Sequence, residues 1–332
     1  MKSTSLLCVA AMLSLATISQ AQTWNLEYGN KEGQLAYFNS NSNKDFAEDA
    51  PMGPMSFRVD GKRLWVLDSI AGDLCSFAEN GKELSSITVP NLSGFRLLED
   101  FAFAGDVKNP ESVWIANDAD GIIRRISLAD GKELTSFGGN NKDSEVKIQQ
   151  VHQLEADSKN NLLYVGDYGR NAISVFSFEG KYLREVKWQG TDFALDKASN
   201  LHVLHYSETT GYMHQIYSPK GQLVASQHVG LPTQSDGNIV SIEDDGSMVC
   251  FFTPVGGFKG VLNLYRINKS GNIVEKADFI PQPTMNRRIN VCGGKVFIAE
   301  ADFHSAPDGK FAVKEIKWEP FKNDSAAEGG NK

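Results

Sequence analysis

Cysteine is scarce in this sequence: there are four in 332 residues, and one of them, Cys8, lies in an apolar stretch near the start. The other three, Cys75, Cys250 and Cys292, have no metal-ligand spacing, and an odd number cannot pair completely. A small disulfide-stapled fold is thereby excluded. Buried free thiols or a single Cys250–Cys292 bridge remain. Long apolar runs are absent after Leu15, so no later segment supplies the roughly 20 apolar residues of a membrane helix. Sustained apolar spacing of three and four is missing too, which argues against a helical protein. Basic residues are in deficit, 33 Lys and Arg against 41 Asp and Glu. That balance repels phosphate backbones and anionic lipid, so nucleic acid is not an expected partner. There is no G-x-S-x-G elbow, no P-loop and no H-E-x-x-H.

What is present begins with a leader. Lys2, the apolar run Leu6 to Leu15 and the small residues Ser19-Gln20-Ala21 form the three-part pattern of a secretory signal peptide, with cleavage expected after Ala21. Cys8 lies inside the apolar run and Ser5-Leu6-Leu7 is not a lipobox, so the expected product is a soluble periplasmic or secreted chain. Its 32 basic and 41 acidic residues give a formal charge of about −9, Lys2 being the one charge lost.

A short apolar run ending in a polar residue then recurs. It reads Leu64-Trp65-Val66-Leu67-Asp68, Val113-Trp114-Ile115-Ala116-Asn117, Leu163-Tyr164-Val165-Gly166-Asp167 and Leu201-His202-Val203-Leu204-His205. Ser247-Met248-Val249-Cys250-Phe251 and Val296-Phe297-Ile298-Ala299-Glu300 follow. The intervals between final residues are 49, 50, 38, 46 and 49, the size of a propeller blade of four short strands. Glycine turns run in phase: Asn80-Gly81-Lys82, Asp130-Gly131-Lys132, Glu179-Gly180-Lys181, Lys220-Gly221-Gln222 and Ser270-Gly271-Asn272. Two markers with one period predict an all-β, six-bladed propeller over 22–322, followed by a disordered tail, 323–332. The first blade is expected as Ser56 to Val59, Arg63 to Leu67, Asp73 to Phe77 and Glu83 to Val89. The sixth unit lacks a fourth strand. Because Gly33 lies 48 residues before Gly81, the segment Gln34 to Asn39 is expected to supply it, with Ser40 to Glu48 as a linker.

Leu64-Trp65-Val66-Leu67-Asp68-Ser69 and Leu163-Tyr164-Val165-Gly166-Asp167-Tyr168-Gly169-Arg170-Asn171 resemble the NHL repeat of NHL and TolB-like six-bladed propellers. The resemblance covers nearly the whole mature chain and departs in units four and five, at His205 and Phe251. It implies the propeller fold and a range of roles: binding scaffolds, a peptide-amidating lyase, lactonases and strictosidine-synthase-like enzymes.

The repeated Asp68, Asn117, Asp167 and Glu300 suggest either a ring of acidic ligands or caps accepting backbone N–H bonds in the next turn; repetition once per blade favours caps. Asn117-Asp118-Ala119-Asp120-Gly121 has a calcium-loop look but lacks the completing Glu, which favours a turn. His152 and Glu155, three apart on a strand, point to opposite faces and cannot chelate one ion; His202 and His205 fail alike. Arg287-Arg288 offers either an anion clamp or a solvated strand edge, and a pair entering a strand favours the edge. Trp65, Trp114, Phe176 and Tyr265 read as packing between blades.

The innermost strand of each blade lines the channel, and its first residues meet at one mouth. Those residues are Ser56, Asp100, His152, Gln153, Asp192, Asp236 and Arg287. Two functions fit. One is a binding or scaffold propeller, expected to be monomeric, that holds a small molecule or an envelope or extracellular protein. The alternative is a lactonase- or lyase-type enzyme with Ca2+ or Zn2+ held by Asp100, His152 and Asp192.

Overall fold

Short β-branched and aromatic runs separated by turns form sheets too small to bury their own faces, so each must be covered by its neighbours. The computed structural model describes residues 21–39, 51–92, 97–106, 109–139, 146–189, 192–230, 235–254, 261–280 and 285–322. They form six antiparallel sheets in a ring, an all-β six-bladed propeller. The first strands of the blades are Ser56–Val59, Leu98–Asp106, Val151–Asp157, Phe193–Leu195, Ser235–Ile242 and Ile289–Cys292. They lie against one another around the axis. No described helix is long and apolar enough to cross a membrane.

Blade one follows the sequence closely, with Ser56–Val59, Leu64–Asp68, Asp73–Phe77 and Glu83–Thr88 paired in order. Gly81 at its outer hairpin has φ +78°, the left-handed conformation that the repeated Gly-Lys turn requires. The other blades repeat this plan. One addition is the two-residue strand Glu319–Pro320, which pairs outside Ile273–Phe279 and covers the edge of blade five.

The ring closes with a different strand from the one expected. Thr23–Glu27, not Gln34 to Asn39, pairs with Lys310–Glu315 as the outer strand of blade six, with Trp24 opposite Val313 and Leu26 opposite Phe311. The reason is the two-residue period of Trp24, Leu26 and Tyr28, all buried, against exposed Asn25 and Glu27. Gln34 to Asn39 makes only isolated bridges, Tyr28 with Leu35 and Phe38 with Met52. Gly33 does turn with φ +80°, but its N–H donates to Glu83 Oε2 of blade one at 2.6 Å. Its phase reflected turn chemistry alone. The expected linker, the tail 323–332 and residues 1–20 of the leader lie outside the described residues.

Between blades lie six apolar clusters, one in each cleft among the described residues. Trp65, Trp114 and Phe176 are buried in them and Tyr265 packs partly buried against another, as their strand positions predict. Cys75 and Cys250 are buried free thiols, and Cys292 is partly buried.

In the first three blades the repeated polar residue is a cap, with a wider reach than one turn, whereas Glu300 of blade six is not one and pairs with Lys314 on the neighbouring strand. Asp68 Oδ1 accepts the Ala71 N–H of the following turn at 2.9 Å, while its Oδ2 accepts from Ala36 at 2.7 Å. Asn117 Oδ1 accepts from Leu97 at 3.0 Å, and Asp167 accepts from Gln149 and Gln150 at 2.9 Å each. The last three donors precede the inner strand of their blades. The cap therefore fastens the second strand to the backbone that leads into the channel. In the turn 117–121, Asp118 accepts from Val151 N–H and Asp120 pairs with Arg124 at 2.7 Å, so both carboxylates serve the fold.

Candidate functional site

Three of the inner strands carry a β-bulge at the same end of the channel. The registers shift between Leu98 and Phe101, between Val151 and Gln153, and between Ile239 and Ser241. A bulge breaks the strict alternation of a strand and re-aims the extra side chain. The residues thus displaced include Asp100, His152 and Val240, and all three line one cavity. Its volume is about 20 Å3, room for about one water molecule, and Gln153, Asp192, Arg287 and Arg288 also face it.

Of the expected residues, Asp100, His152, Gln153, Asp192 and Arg287 line this cavity, but the fold divides them into two groups. Asp100 is fully buried. Ser56 Oγ donates to its Oδ1 at 2.6 Å, Arg287 Nε to Oδ1 at 3.0 Å, Arg287 Nη2 to Oδ2 at 2.7 Å and the Leu154 N–H to Oδ2 at 2.9 Å. Arg287 also donates to Glu155 Oε1 at 2.9 Å, and Arg58 joins from the other side, 3.4 Å from Glu155 and 3.8 Å from Asp100. Burial pushes the Asp100 carboxyl up, yet Arg287 and Arg58 outweigh it and hold the pKa below the ordinary value. Burial lowers Arg287 in turn, but Asp100 and Glu155 raise it well above its usual range. These residues form a closed ionic floor.

His152 and Asp192 form the second group. Nε2 and Oδ1 are 2.8 Å apart, with side chains 19% and 21% exposed. Asp192 N–H donates to Asn238 Oδ1 at 3.1 Å, and Asn286 Nδ2 donates to the backbone oxygens of Glu99 and His152. The His152 ring lies 4.3 Å from that of Tyr168, which stacks on Trp188 at 5.1 Å. This pair is accessible and oriented on both sides.

Gln153 turns out to be a pin between blades three and four: Oε1 accepts from Phe193 N–H at 2.9 Å and Nε2 donates to Phe193 C=O at 2.7 Å. Asp236 has its backbone in a strand opposite Thr253, and its side chain lies outside the described residues. The reading of Arg287-Arg288 as a solvated edge is overturned, because Arg287 is committed to the floor and Arg288 lines the cavity. Arg58, Glu155 and Arg288 are the residues that sequence reasoning missed. Arg58 stands two positions after Ser56 and Glu155 two after Gln153, so strand alternation could have placed each beside its partner.

The proposed metal set does not assemble. Asp100 commits both oxygens to Arg287 and other donors, and no group of three potential ligands converges among the described residues.

Blade four holds a separate polar ladder. His202 Nδ1 and His214 Nε2 are 2.8 Å apart, with Asp196 Oδ2 3.2 Å from His202 Nε2 and Gln227 Nε2 3.2 Å from His214 Nδ1. Both rings are buried. Burial, reinforced by His202, pushes His214 down to about 3, and burial also lowers His202. The folded state therefore favours neutral rings, whose stabilisation is complete above about pH 6.5 and fades as pH falls toward 3. Asp68 and Glu99, raised by burial to about 6 and about 8, act in the opposite sense, so a difference measurement is needed. Between pH 7.5 and 5, the stability advantage of wild type over His214→Gln is expected to shrink by about 2 kcal/mol in urea unfolding. An unchanged difference would show that the ring is not held neutral.

These features define a six-bladed β-propeller with a polar cavity at one end of its channel, built on bulged inner strands. By sequence the chain matches no family model and no curated protein. Among solved structures it is similar to virginiamycin B lyase from Staphylococcus aureus. A catalytically inactive variant of that protein with quinupristin aligns at 16% identity with a TM-score of 0.53, over 90% of this chain and 100% of that one. Hydrazine synthase from Kuenenia stuttgartiensis aligns at 11% identity with a TM-score of 0.51, over 77% and 76%. At such identities the likeness is one of fold.

Proposed function

We propose that this chain is an exported propeller of the NHL or TolB-like kind that binds a small polar ligand at the bulged mouth of its channel. The observation that carries this reading is the bulge that turns His152, paired with Asp192, into a cavity whose other two bulges set Asp100 in the floor and Val240 in the wall. The ionic floor supports the same reading. It holds the mouth in shape while leaving His152 and Asp192 accessible. The leader pattern supports export to the periplasm or beyond.

One observation favours a second reading, catalysis: a carboxylate orients the His152 imidazole, as a general base requires. The lyase named above shares the fold, which gives this reading a precedent of architecture only. Among the described residues Asp100, His152 and Asp192 do not converge as calcium or zinc ligands, so this reading invokes no metal.

The test is a thermal-shift screen of small polar compounds against the untagged mature protein, with calcium and zinc among the additions. A true ligand at a hundred times its Kd should stabilise by about 2.7 kcal/mol, and His152→Ala with Asp192→Asn should abolish the shift. Calcium and zinc should give none, and metal analysis should find neither in stoichiometric amount. Hits that persist undiminished in the double variant would place binding elsewhere.

A further inference from the structure

Four of the six histidines stand in blade four, at positions 202, 205, 214 and 228. Strand alternation sorts them onto two faces. His202 and His214 lie with Leu204 and Tyr212 on the face toward blade five, where each ring is engaged by the other. His205 follows Leu201 and Val203 in steps of two, on the face toward blade three. There the register sets three side chains in one row across the outer three strands. His205 of Leu201–Ser207 stands opposite Met213 of Gly211–Tyr217, and Met213 stands opposite His228 of Leu223–Val229.

Opposed side chains of an antiparallel pair have Cβ atoms about 4.5–5.5 Å apart, so a thioether stands between two imidazoles. One of the rings already leans inward. Gly211 shares the face of Met213, two positions before it, and His228 Nε2 lies 3.4 Å from where a Cβ on Gly211 would stand. The absent side chain lets the ring lie over the middle strand beside Met213. Neither ring is committed elsewhere as His202 and His214 are. Among the described residues His228 has no hydrogen-bond or ion-pair partner, and His205 has one polar contact, its Nε2 being 3.4 Å from Gln189 Nε2. His228 is exposed, while His205 and Met213 are half-buried, so an ion has access.

We infer that His205, Met213 and His228 form a copper(I) site on the flank of blade four. The donor set makes the selection. Thioether sulfur favours a soft ion and imidazole suits copper, whereas calcium and magnesium take oxygen ligands and zinc takes nitrogen, thiolate or carboxylate. No group of three among histidine, cysteine, aspartate and glutamate converges among the described residues, so it is the methionine that completes this set. The two imidazoles approach from strands about 4.8 Å to either side and close over Met213 by side-chain rotation. None of the three residues lines the cavity at the channel mouth, so the site stands apart from the ligand reading given above.

Silver(I), a redox-inert stand-in for copper(I), is the probe. Calorimetry uses the mature chain carrying Cys292→Ser, which removes from competition the one thiol of the three that is not fully buried. About one Ag+ per chain is expected to bind, copper(I) supplied as its bicinchoninate complex should compete with it, and Zn2+ and Ca2+ should not. Met213→Leu keeps the apolar volume and removes the sulfur. It should weaken Ag+ by about tenfold or more, as should His205→Ala and His228→Ala. All three side chains are at least partly exposed, so each variant should keep the ion-free Tm of its parent within about 2 °C. If Met213→Leu falls below that, His228→Ala, at the most exposed of the three positions, decides. The Met213 ε-methyl resonance should also shift on adding Ag+, which a merely structural methionine would not show. The site is overturned by Ag+ binding undiminished in Met213→Leu, by Zn2+ displacing Ag+, or by a Cys292→Ser chain that binds no Ag+. In that last case, binding by the chain with Cys292 intact would assign the ion to the thiol.

Discussion

Arg287→Ala is expected to lower the free energy of unfolding by about 3–5 kcal/mol, the cost of stranding buried carboxylates without their counter-charge. Asp100 would keep only the more distant Arg58, at 3.8 Å, and Glu155 would keep Arg58 at 3.4 Å. The loss reaches three blades, since Arg287 belongs to blade six, Asp100 to blade two and Glu155 to blade three. Urea unfolding at pH 7 measures it. A double-mutant cycle with Asp100→Asn separates charge from packing, because Asn can still accept the Leu154 N–H. The double variant should be less destabilised than the sum of the singles by about 1–3 kcal/mol. Strict additivity would mean that the two residues do not act as a pair. The effect also has a pH sign. Asp100 has a depressed pKa, so its ionic stabilisation is present above the ordinary carboxylate pKa and fades as pH falls through the folded value. Arg287→Ala should therefore matter less in acid.

This network also shows where a one-dimensional reading stops. The period of the blades was legible because every blade needs the same strands and the same left-handed glycine turn, so the signal is written several times. The mouth is written once. Residues expected from strand starts do gather there, because the ring geometry forces inner strands to converge. Which of them face a ligand and which lock the blades depended on three bulges, and a bulge is a pairing event between strands that no single segment announces. Asp100 and His152 looked equivalent as polar residues near strand starts. One is saturated by two arginines, and the other stands open beside Tyr168. Arg288 was misread for the same reason: a polar pair at a strand start is a solvated edge on an outer strand and a buried feature on an inner one.

The closing strand gives the second large effect. Trp24→Ala is expected to cost about 3–5 kcal/mol, as for other large side chains removed from a packed interior. Trp24 is fully buried, and its ring meets Phe297 edge-on at 5.8 Å between centroids. Trp24→Phe should cost much less, about 1–2 kcal/mol, because most of the packing volume survives and the indole Nε1, buried without a partner among the described residues, is removed. The contrast between the two substitutions, read by urea unfolding, assigns the cost to volume. Removing residues 22–27 altogether deletes Trp24 and Leu26 from the cluster between blades six and one. It also bares the backbone of Lys310–Glu315 along five paired positions. Two large core losses together approach the whole stability of a typical domain, about 5–15 kcal/mol, and the open edge invites pairing between molecules. The truncated chain should therefore elute as aggregates in size-exclusion chromatography. A monomeric, cooperatively folding product would show that blade six does not need Thr23–Glu27 and that the ring is closed by its inner strands alone.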